Sequence, residues 1–387
     1  MNAALLTDIG AAAILLLLAA GTVLLALGNR RVPTLAALPP WEPTQHAPRV
    51  SIIVPARNEA RGIGAAVATM LALDYPDFEV IVIDDRSTDG TAQALEAVPD
   101  PCRRLRRLGV TELPADWLGK NHANAVGAAA ATGEWLLFTD ADIHFESLAL
   151  GRAMRCATEG HWDHLTAAPH ARLPGAVLSQ FALYFGLLFS LFARPWAARN
   201  PRSRAHVGIG AFNLVRRSAY EAIGGHAALR LRPDDDLKLG KLLKQAGYRQ
   251  LFLNGCGAIE VEWYSTWREV RDGLMKNLFA GSGYSVPLTV FGGLLQLAVL
   301  TGPPLGVIFA SGVAQWCSAL ACGLLLLQGW ASAPSLGTRR WAGALLPLFG
   351  VFGTWLMWRS MYLALSRGYI EWRGTRYPLA ELRRQKI

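Results

Sequence analysis

Two aspartates with one residue between them, Asp140 and Asp142, end a short apolar run from Trp135 to Phe138. A run of that length bounded by polar residues reads as a buried strand. Carboxylates at the carboxyl end of a central strand stand where open α/β sheets place their ligands. Their hard oxygens suit Mg2+ or Mn2+, and such ions bridge to substrate phosphates. An ordinary turn is the alternative, because Asp is common there. A second acidic pair, Asp84-Asp85, ends another apolar run. A third group, Asp234-Asp235-Asp236, follows Pro233 and opens a helical pattern that reaches Gln245. The helix dipole favours acidic residues in a first turn. Three in a row exceed that need, since adjacent like charges repel, and this makes one of them a candidate for catalysis.

The elements that would position these groups follow in order. A strand over 49–55 ends at Ala56-Arg-Asn-Glu59, and a helical pattern runs to Met70. A strand over 79–83 is closed by Asp84-Asp-Arg-Ser-Thr-Asp-Gly90, with Ser87 or Thr88 able to cap the next helix. Residues 103–110 form a third strand and 120–131 a helix of small residues, ahead of the strand that leads to Asp140. Strand, helix, strand, helix, strand predicts an α/β fold with a mostly parallel, doubly wound sheet. The strand ends then gather Pro55 to Glu59, Asp84-Asp85 and Asp140 to Asp142. No glycine-rich phosphate loop of the dinucleotide-binding or P-loop kind is present. A metal on Asp142, with Lys120 as a second positive charge, could neutralise a diphosphate instead; a solvated surface lysine is the alternative for Lys120. His161, His164 and His170 lack metal-ligand spacing and read as structural. Gly224-Gly225-His226 stops a helix over 218–223, and His226 is either a polar loop residue or an acceptor contact.

Composition separates this domain from the rest of the 387 residues. Hydrophobic residues make up 52% and charged ones 17%. Residues 9–29 and 277–338 carry no charge, and a further apolar stretch runs from Trp341 to Met357. Such lengths suit membrane-crossing helices, so an integral membrane protein is expected. Arg30-Arg31 after the first stretch places the following domain on the cytoplasmic side of the cell (inner) membrane. The net charge of +9 sits largely beside apolar stretches, where anionic lipid attracts it, and implies no nucleic-acid partner. The five cysteines form no Cys-x-x-Cys pair, which excludes a disulfide framework or zinc site. Residues 173–193 are uncharged, yet one crossing there would separate Asp140 and Asp142 from Asp234 to Asp236. An interfacial helix keeps them together. The expected division is an anchor over 1–30, a linker over 31–49, a catalytic domain over 50–270 containing that helix, membrane helices over 271–365 and a basic tail over 366–387. Gly302-Pro-Pro304 marks a break within the first C-terminal helix.

Residues 50–249 resemble the inverting, nucleotide-sugar-dependent glycosyltransferases of family 2. The motifs that carry the resemblance are Ser51-Ile-Ile-Val-Pro-Ala-Arg-Asn-Glu59, Glu79-Val-Ile-Val-Ile-Asp-Asp-Arg-Ser-Thr-Asp-Gly-Thr91, Gly119-Lys120, Thr139-Asp-Ala-Asp142 and Asp235-Asp-Leu-Lys-Leu-Gly240 with Ala246-Gly-Tyr-Arg249. Leu113-Pro-Ala-Asp-Trp-Leu-Gly-Lys-Asn-His122 and Gly210-Ala-Phe-Asn-Leu-Val-Arg-Arg217 are similar to members that glycosylate lipids, such as ceramide glucosyltransferases and the hopanoid- and carotenoid-associated bacterial enzymes. The resemblance implies a Rossmann-like domain of the GT-A type. It implies a nucleotide-sugar donor, a UDP-sugar first among these, and a hydroxyl or carboxyl of a membrane lipid as acceptor. It implies that Asp85 hydrogen-bonds the base, with Pro55, Arg57 and Glu59 in the same pocket. Asp140 then faces the ribose beside the metal, Asp142 ligates Mg2+ or Mn2+, and Lys120 assists the diphosphate. Asp236 becomes the base beside Asp235, with Asp234 as the alternative register, and Gly225 and His226 contact the acceptor. The Gln/Arg-x-x-Arg-Trp string of processive members is absent from Trp267 to Phe279, where Arg271 and Lys276 supply charge without the pattern. That favours a single transfer over the rival expectation of a polysaccharide synthase. A non-catalytic membrane protein with a degenerate domain is the remaining rival.

Overall fold

The computed structural model describes residues 3–42, 46–372 and 375–384. Residues 43–45, 373–374 and 385–387, which fall in the expected linker and basic tail, lie outside the described residues. The chain divides into two units. One comprises Arg31–Ala171 and Ala193–Glu262; the other comprises Met1–Arg30, Arg172–Phe192 and Trp263–Lys386.

The strands are β1 (Val50–Ala56), β2 (Phe78–Asp85), β3 (Leu105–Val110), β4 (Trp135–Phe138), β5 (Ile143–Phe145), β6 (His164–Ala168), β7 (His170–Arg172), β8 (Asn213–Arg216), β9 (Gln250–Asn254), β10 (Ile259–Glu262), β11 (Tyr369–Trp372) and β12 (Thr375–Pro378). In the first unit seven of them form a sheet ordered β3-β2-β1-β4-β8-β6-β9. β3, β2, β1 and β4 run parallel, as do β6 and β9, while β8 is antiparallel to both its neighbours. The fold is an α/β domain with a mostly parallel central sheet. Ile52, Ile53 and Val80 to Ile83 have no exposed surface, the pattern of strands covered on both faces. The helix Gly119–Ala130 covers one face, and its composition follows from how closely it lies. A Cβ on Gly127 would stand 2.5 Å from Ile53 Cγ2 and 2.6 Å from Ile83 Cδ1.

Register brings the strand ends together. Ile53 pairs with Ile81 and with Phe138, so β1, β2 and β4 finish side by side, with Ala56 opposite Asp84. At the opposite ends a buried carboxylate ties the same strands. Glu79 accepts from Ser51 Oγ (2.8 Å), the Thr132 N–H (2.8 Å) and Arg106 (2.9 Å). Burial pushes its carboxyl up, but the bonds from Thr132, Arg106 and Ser51 outweigh that and hold it at about 2. Arg104 lies over the Phe78 ring. Arg106 in β3 and Arg104 just before it therefore brace the sheet.

Sequence and structure differ at three places. Part of the expected linker docks on the first unit: Asn254 N–H donates to Pro33 O, Leu35 is fully buried, and Trp41 meets Tyr75 edge-on. Apolar residues among the prolines draw it there. Residues 172–192 group with the apolar helices, outside the unit that carries the rest of the catalytic domain, and the boundary expected at 270 falls after Glu262. The reason is local packing: Tyr184 Oη donates to Gln296 Oε1, Gln180 Oε1 accepts the Arg339 N–H, and Leu336 fills the space beside Gly186. The helix here is only Phe181–Ala193, about 20 Å long at 1.5 Å per residue and short of the hydrocarbon core.

Among the described residues of this second unit, three helices are long and apolar enough to cross a membrane: Ala4–Asn29, Gly312–Ser332 and Arg340–Arg367. They become four if Val286–Leu300 and Gly302–Phe309, bent by 48° at their junction, count as one span. The protein is membrane-associated on this ground. Pro303 and Pro304 account for the bend, because proline supplies no N–H to the preceding turn.

Candidate active site

The loop after β1 and the loop after β2 are knitted together. Asn58 Oδ1 accepts the Thr88 N–H at 2.8 Å, Ser87 Oγ accepts the Asn58 N–H at 3.0 Å, and Thr91 Oγ1 accepts the Glu59 N–H at 2.8 Å. Asn58 and Arg86 take left-handed backbone conformations, at φ 56° and 57°, which for a bulky Arg is uncommon outside functional loops. Asp85 is buried at the end of β2. Arg86 grips its carboxylate through Nε (2.7 Å) and Nη2 (3.1 Å), and Arg57 approaches to 3.8 Å. Asp85 also explains Gly119: a Cβ there would lie 2.2 Å from its Oδ2. Pro55 and Arg57 flank this corner. Arg86 was not singled out from the sequence, since an arginine in a polar loop carries no signal of its own.

The loop after β4 supplies Asp140 and Asp142. Lys120, from the helix Gly119–Ala130, pairs with Asp140 at 2.5 Å. Burial pulls the Lys120 amine down, but the charges of Asp140, Asp235 and Asp236 outweigh it and keep the amine protonated. The Asp142 carboxyl is pushed up to about 7 by burial and then by the negative charges of Asp140 and Glu59. A divalent cation would relieve that repulsion. Among the described residues no three acidic, His or Cys side chains converge as a complete cage. The donor set therefore fits an ion that takes its remaining ligands from a diphosphate, the usual habit of Mg2+ and Mn2+.

The third acidic group belongs to the helix Asp235–Gln245, and its members have different partners. Asp234 is locked to Arg232 through two bonds of 2.8 and 2.7 Å, with Lys238 Nζ at 3.6 Å. Asp235 is buried, 3.8 Å from His226 Nε2. Asp236 accepts the Gly210 N–H at 2.8 Å and the Leu237 N–H at 2.7 Å. Burial, followed by the Asp235 charge, pushes the Asp236 carboxyl up to about 7. The segment before β8 can lie against this helix only because both segments carry glycine at the crossing. A Cβ on Gly208 would meet the Asp236 carbonyl at 1.8 Å, and one on Gly240 would meet the Val207 carbonyl at 1.9 Å.

Lys120, Asn124, Phe138, Thr139, Gly210, Asn213, His226, Asp235 and Asp236 line one small recess of about 10 Å3. That is about the room of one water molecule, far below the roughly 300–1,000 Å3 of whole-ligand pockets, so the recess admits a single small polar group such as a hydroxyl. His226 is 2% exposed. Its Nδ1 meets Tyr220 Oη at 2.9 Å and its Nε2 lies 3.3 Å from Asn124 Nδ2. Gly225, at φ 54°, packs on the Tyr220 ring and does not line the recess. His164 is fully buried beside Asn213 in the sheet, with its imidazole pushed down to about 4 by desolvation, a structural role. Asn124 and Asn213 had no spacing to mark them in the sequence.

The geometry thus places Lys120 beside Asp140, just after β4, and within the field of Asp235 and Asp236 at the start of a helix. Over 340 residues the chain is 22% identical to the 4,4'-diaponeurosporenoate glycosyltransferase of Staphylococcus aureus (strain USA300), covering 86% of this chain and 89% of that one. Among solved structures it is similar to the mannosyltransferase PcManGT from Pyrobaculum calidifontis, in complex with GDP-Man and Mn2+. The TM-score is 0.52 and the identity 22%, with 92% of this chain and 98% of that one covered. This likeness agrees with a GT-A-like fold. Residues 51–224 match the family model described as glycosyl transferase family 2.

Proposed function

We propose that this glycosyltransferase moves a sugar from a nucleoside diphosphate donor to a membrane lipid, by single inverting displacement at the anomeric carbon. The observation that supports it most is the contrast between Asp234 and Asp236. Asp234 is tied to Arg232 and Lys238, whereas Asp236 lines the recess and, among the described residues, accepts hydrogen bonds from backbone N–H groups only. A carboxylate near neutral pKa is suited to take the proton of an attacking hydroxyl. Asp236 is the base in this reading, and Asp235 with His226 positions it.

The donor's base would sit by Asp85, Pro55, Arg57 and Glu59, and its ribose by Asp140. Asp142, with Asp140 beside it, would hold Mg2+ or Mn2+. That cation, when bound, offsets charge developing on the departing diphosphate. Lys120 contributes a fixed positive charge to the same end. A UDP-sugar is the first donor to test and a GDP-sugar the second, since the mannosyltransferase above is described with GDP-Man. The acceptor named for the relative from Staphylococcus aureus supports an apolar lipid. The catalytic unit is taken to face the cytoplasm, from Arg30-Arg31 after the first apolar helix.

The test is Asp236→Asn in purified protein. Loss of transfer with nucleotide-sugar binding retained supports the reading; loss of binding together with transfer would overturn the role given to Asp236. Polymer in place of a single-sugar lipid would overturn the single transfer.

A further inference from the structure

A second recess in the sheet-bearing unit shares no lining residue with the first. Arg31, Trp196, Ala197, Arg199 and Asn200 line about 460 Å3. The turn that carries it is built before any ligand arrives. Ala197 N–H donates to Arg194 O, Asn200 N–H to Ala197 O and Ser203 N–H to Asn200 O. Lys244 Nζ donates to the carbonyls of Ala198 (2.6 Å) and Asn200 (2.7 Å). Trp196 forms the apolar wall and is 6% exposed. Arg31 and Arg199 are exposed, and among the described residues neither guanidinium has a carboxylate partner. No acidic residue occurs between Asp163 and Glu221, while Arg194, Arg199, Arg202 and Arg204 fall within that stretch.

Two unpaired guanidiniums beside an amide and an indole wall suit a phosphate, whose oxygens accept paired N–H donors. Arg31 stands two residues past the apolar helix Ala3–Asn29, and Arg194 directly follows the apolar helix Phe181–Ala193. Both sides of the recess are thus covalently tethered to apolar helix ends, where anionic head groups are concentrated. We infer that this recess binds a phosphate-bearing anion apart from the transfer site, supplied as a phospholipid head group or as a soluble phosphate.

The full chain in detergent would be examined by native mass spectrometry with phosphatidylglycerol and with phosphatidylcholine, and by calorimetric titration with inorganic phosphate. The probe variant is Arg31→Gln with Arg199→Gln; the control is Arg103→Gln with Arg107→Gln, equally exposed and equal in charge change. Retention of phosphatidylglycerol over phosphatidylcholine, weakened about tenfold or more in the probe variant alone, supports the inference with a lipid source. Inorganic phosphate binding lost in the probe variant alone supports it with a soluble source. It is overturned if neither ligand binds, or if both variants lose binding alike. An unchanged melting temperature in the probe variant shows that the fold is intact.

Discussion

The Gly210 N–H donates to Asp236 Oδ2 across 2.8 Å, and the Gly210 Cα faces Asp140 and Lys120 so closely that a Cβ would stand 2.8 Å from Asp140 Oδ2 and 3.1 Å from Lys120 Nζ. One peptide unit therefore joins two acidic groups that lie almost a hundred residues apart. In the proposed reaction these serve opposite ends of the displacement: Asp140 and Asp142 the leaving diphosphate, Asp236 the attacking acceptor.

The partners of the acidic triplet predict separable phenotypes. Asp236→Asn should lower transfer by about a hundredfold to ten-thousandfold without lowering the melting temperature. Asp234→Asn should do the reverse, because it removes the negative charge that two hydrogen bonds tie to Arg232, which is 4% exposed. Breaking a buried pair costs about 3–5 kcal/mol, a loss read by denaturant or thermal unfolding. Equal loss of activity in both variants would remove the distinction between the two aspartates.

Glycine substitutions test the packing that holds Asp236. Gly208→Ala places a Cβ against backbone, 1.8 Å from the Asp236 carbonyl, and should abolish folding of the sheet-bearing unit. Gly210→Ala meets only the tips of Asp140 and Lys120, which can swing away, so the protein should fold and lose turnover instead. Circular dichroism and activity on the same samples would separate the two.

Much of this arrangement is legible in the residues. Trp135 to Phe138 and the helix from Asp235 to Gln245 match their expected bounds, because apolar runs and a proline-led acidic first turn are local signals. Strands β5, β6, β7, β9 and β10 were not read, being short or half-polar, and β8 runs against its neighbours for reasons that lie in tertiary contact. Leu35 and Trp41 looked like parts of a linker because their burial depends on distant partners such as Tyr75 and Asn254. The pairing of Asp234 with Arg232 was equally hidden: the triplet has one charge pattern, and only side-chain direction divides it.

Cation dependence follows from the carboxyl of Asp142. Chelation should stop transfer, and Mn2+ or Mg2+ should restore it. Asp142→Asn should raise the Mn2+ concentration for half-maximal rate at least about tenfold, the lower bound seen even for outer-sphere partners of a metal. Donor binding measured with Mn2+ present should weaken in parallel. Transfer that continues undiminished in excess chelator would exclude this use of Asp142.

The dependence on pH separates a hydroxyl acceptor from a carboxyl acceptor. Asp236 must be ionised to take a proton, and its carboxyl stands at about 7 in the folded chain, well above the ordinary value near 3.9. With a hydroxyl acceptor, turnover should rise through pH 6 to 8 and level off, and Asp236→Asn should remove the rise. A carboxyl acceptor is already ionised at these pH values and brings no proton to remove, so its transfer should depend on Asp236 far less. Stability should move the other way. A raised carboxyl binds its proton more tightly in the folded state than in the unfolded one, so its contribution is fullest below the unfolded value and is lost as pH climbs through about 7. Asp142 carries the same sign. Melting temperature should therefore fall across the window in which turnover rises, and Asp236→Asn should flatten both curves if a hydroxyl is the acceptor, but chiefly the stability curve if a carboxyl is.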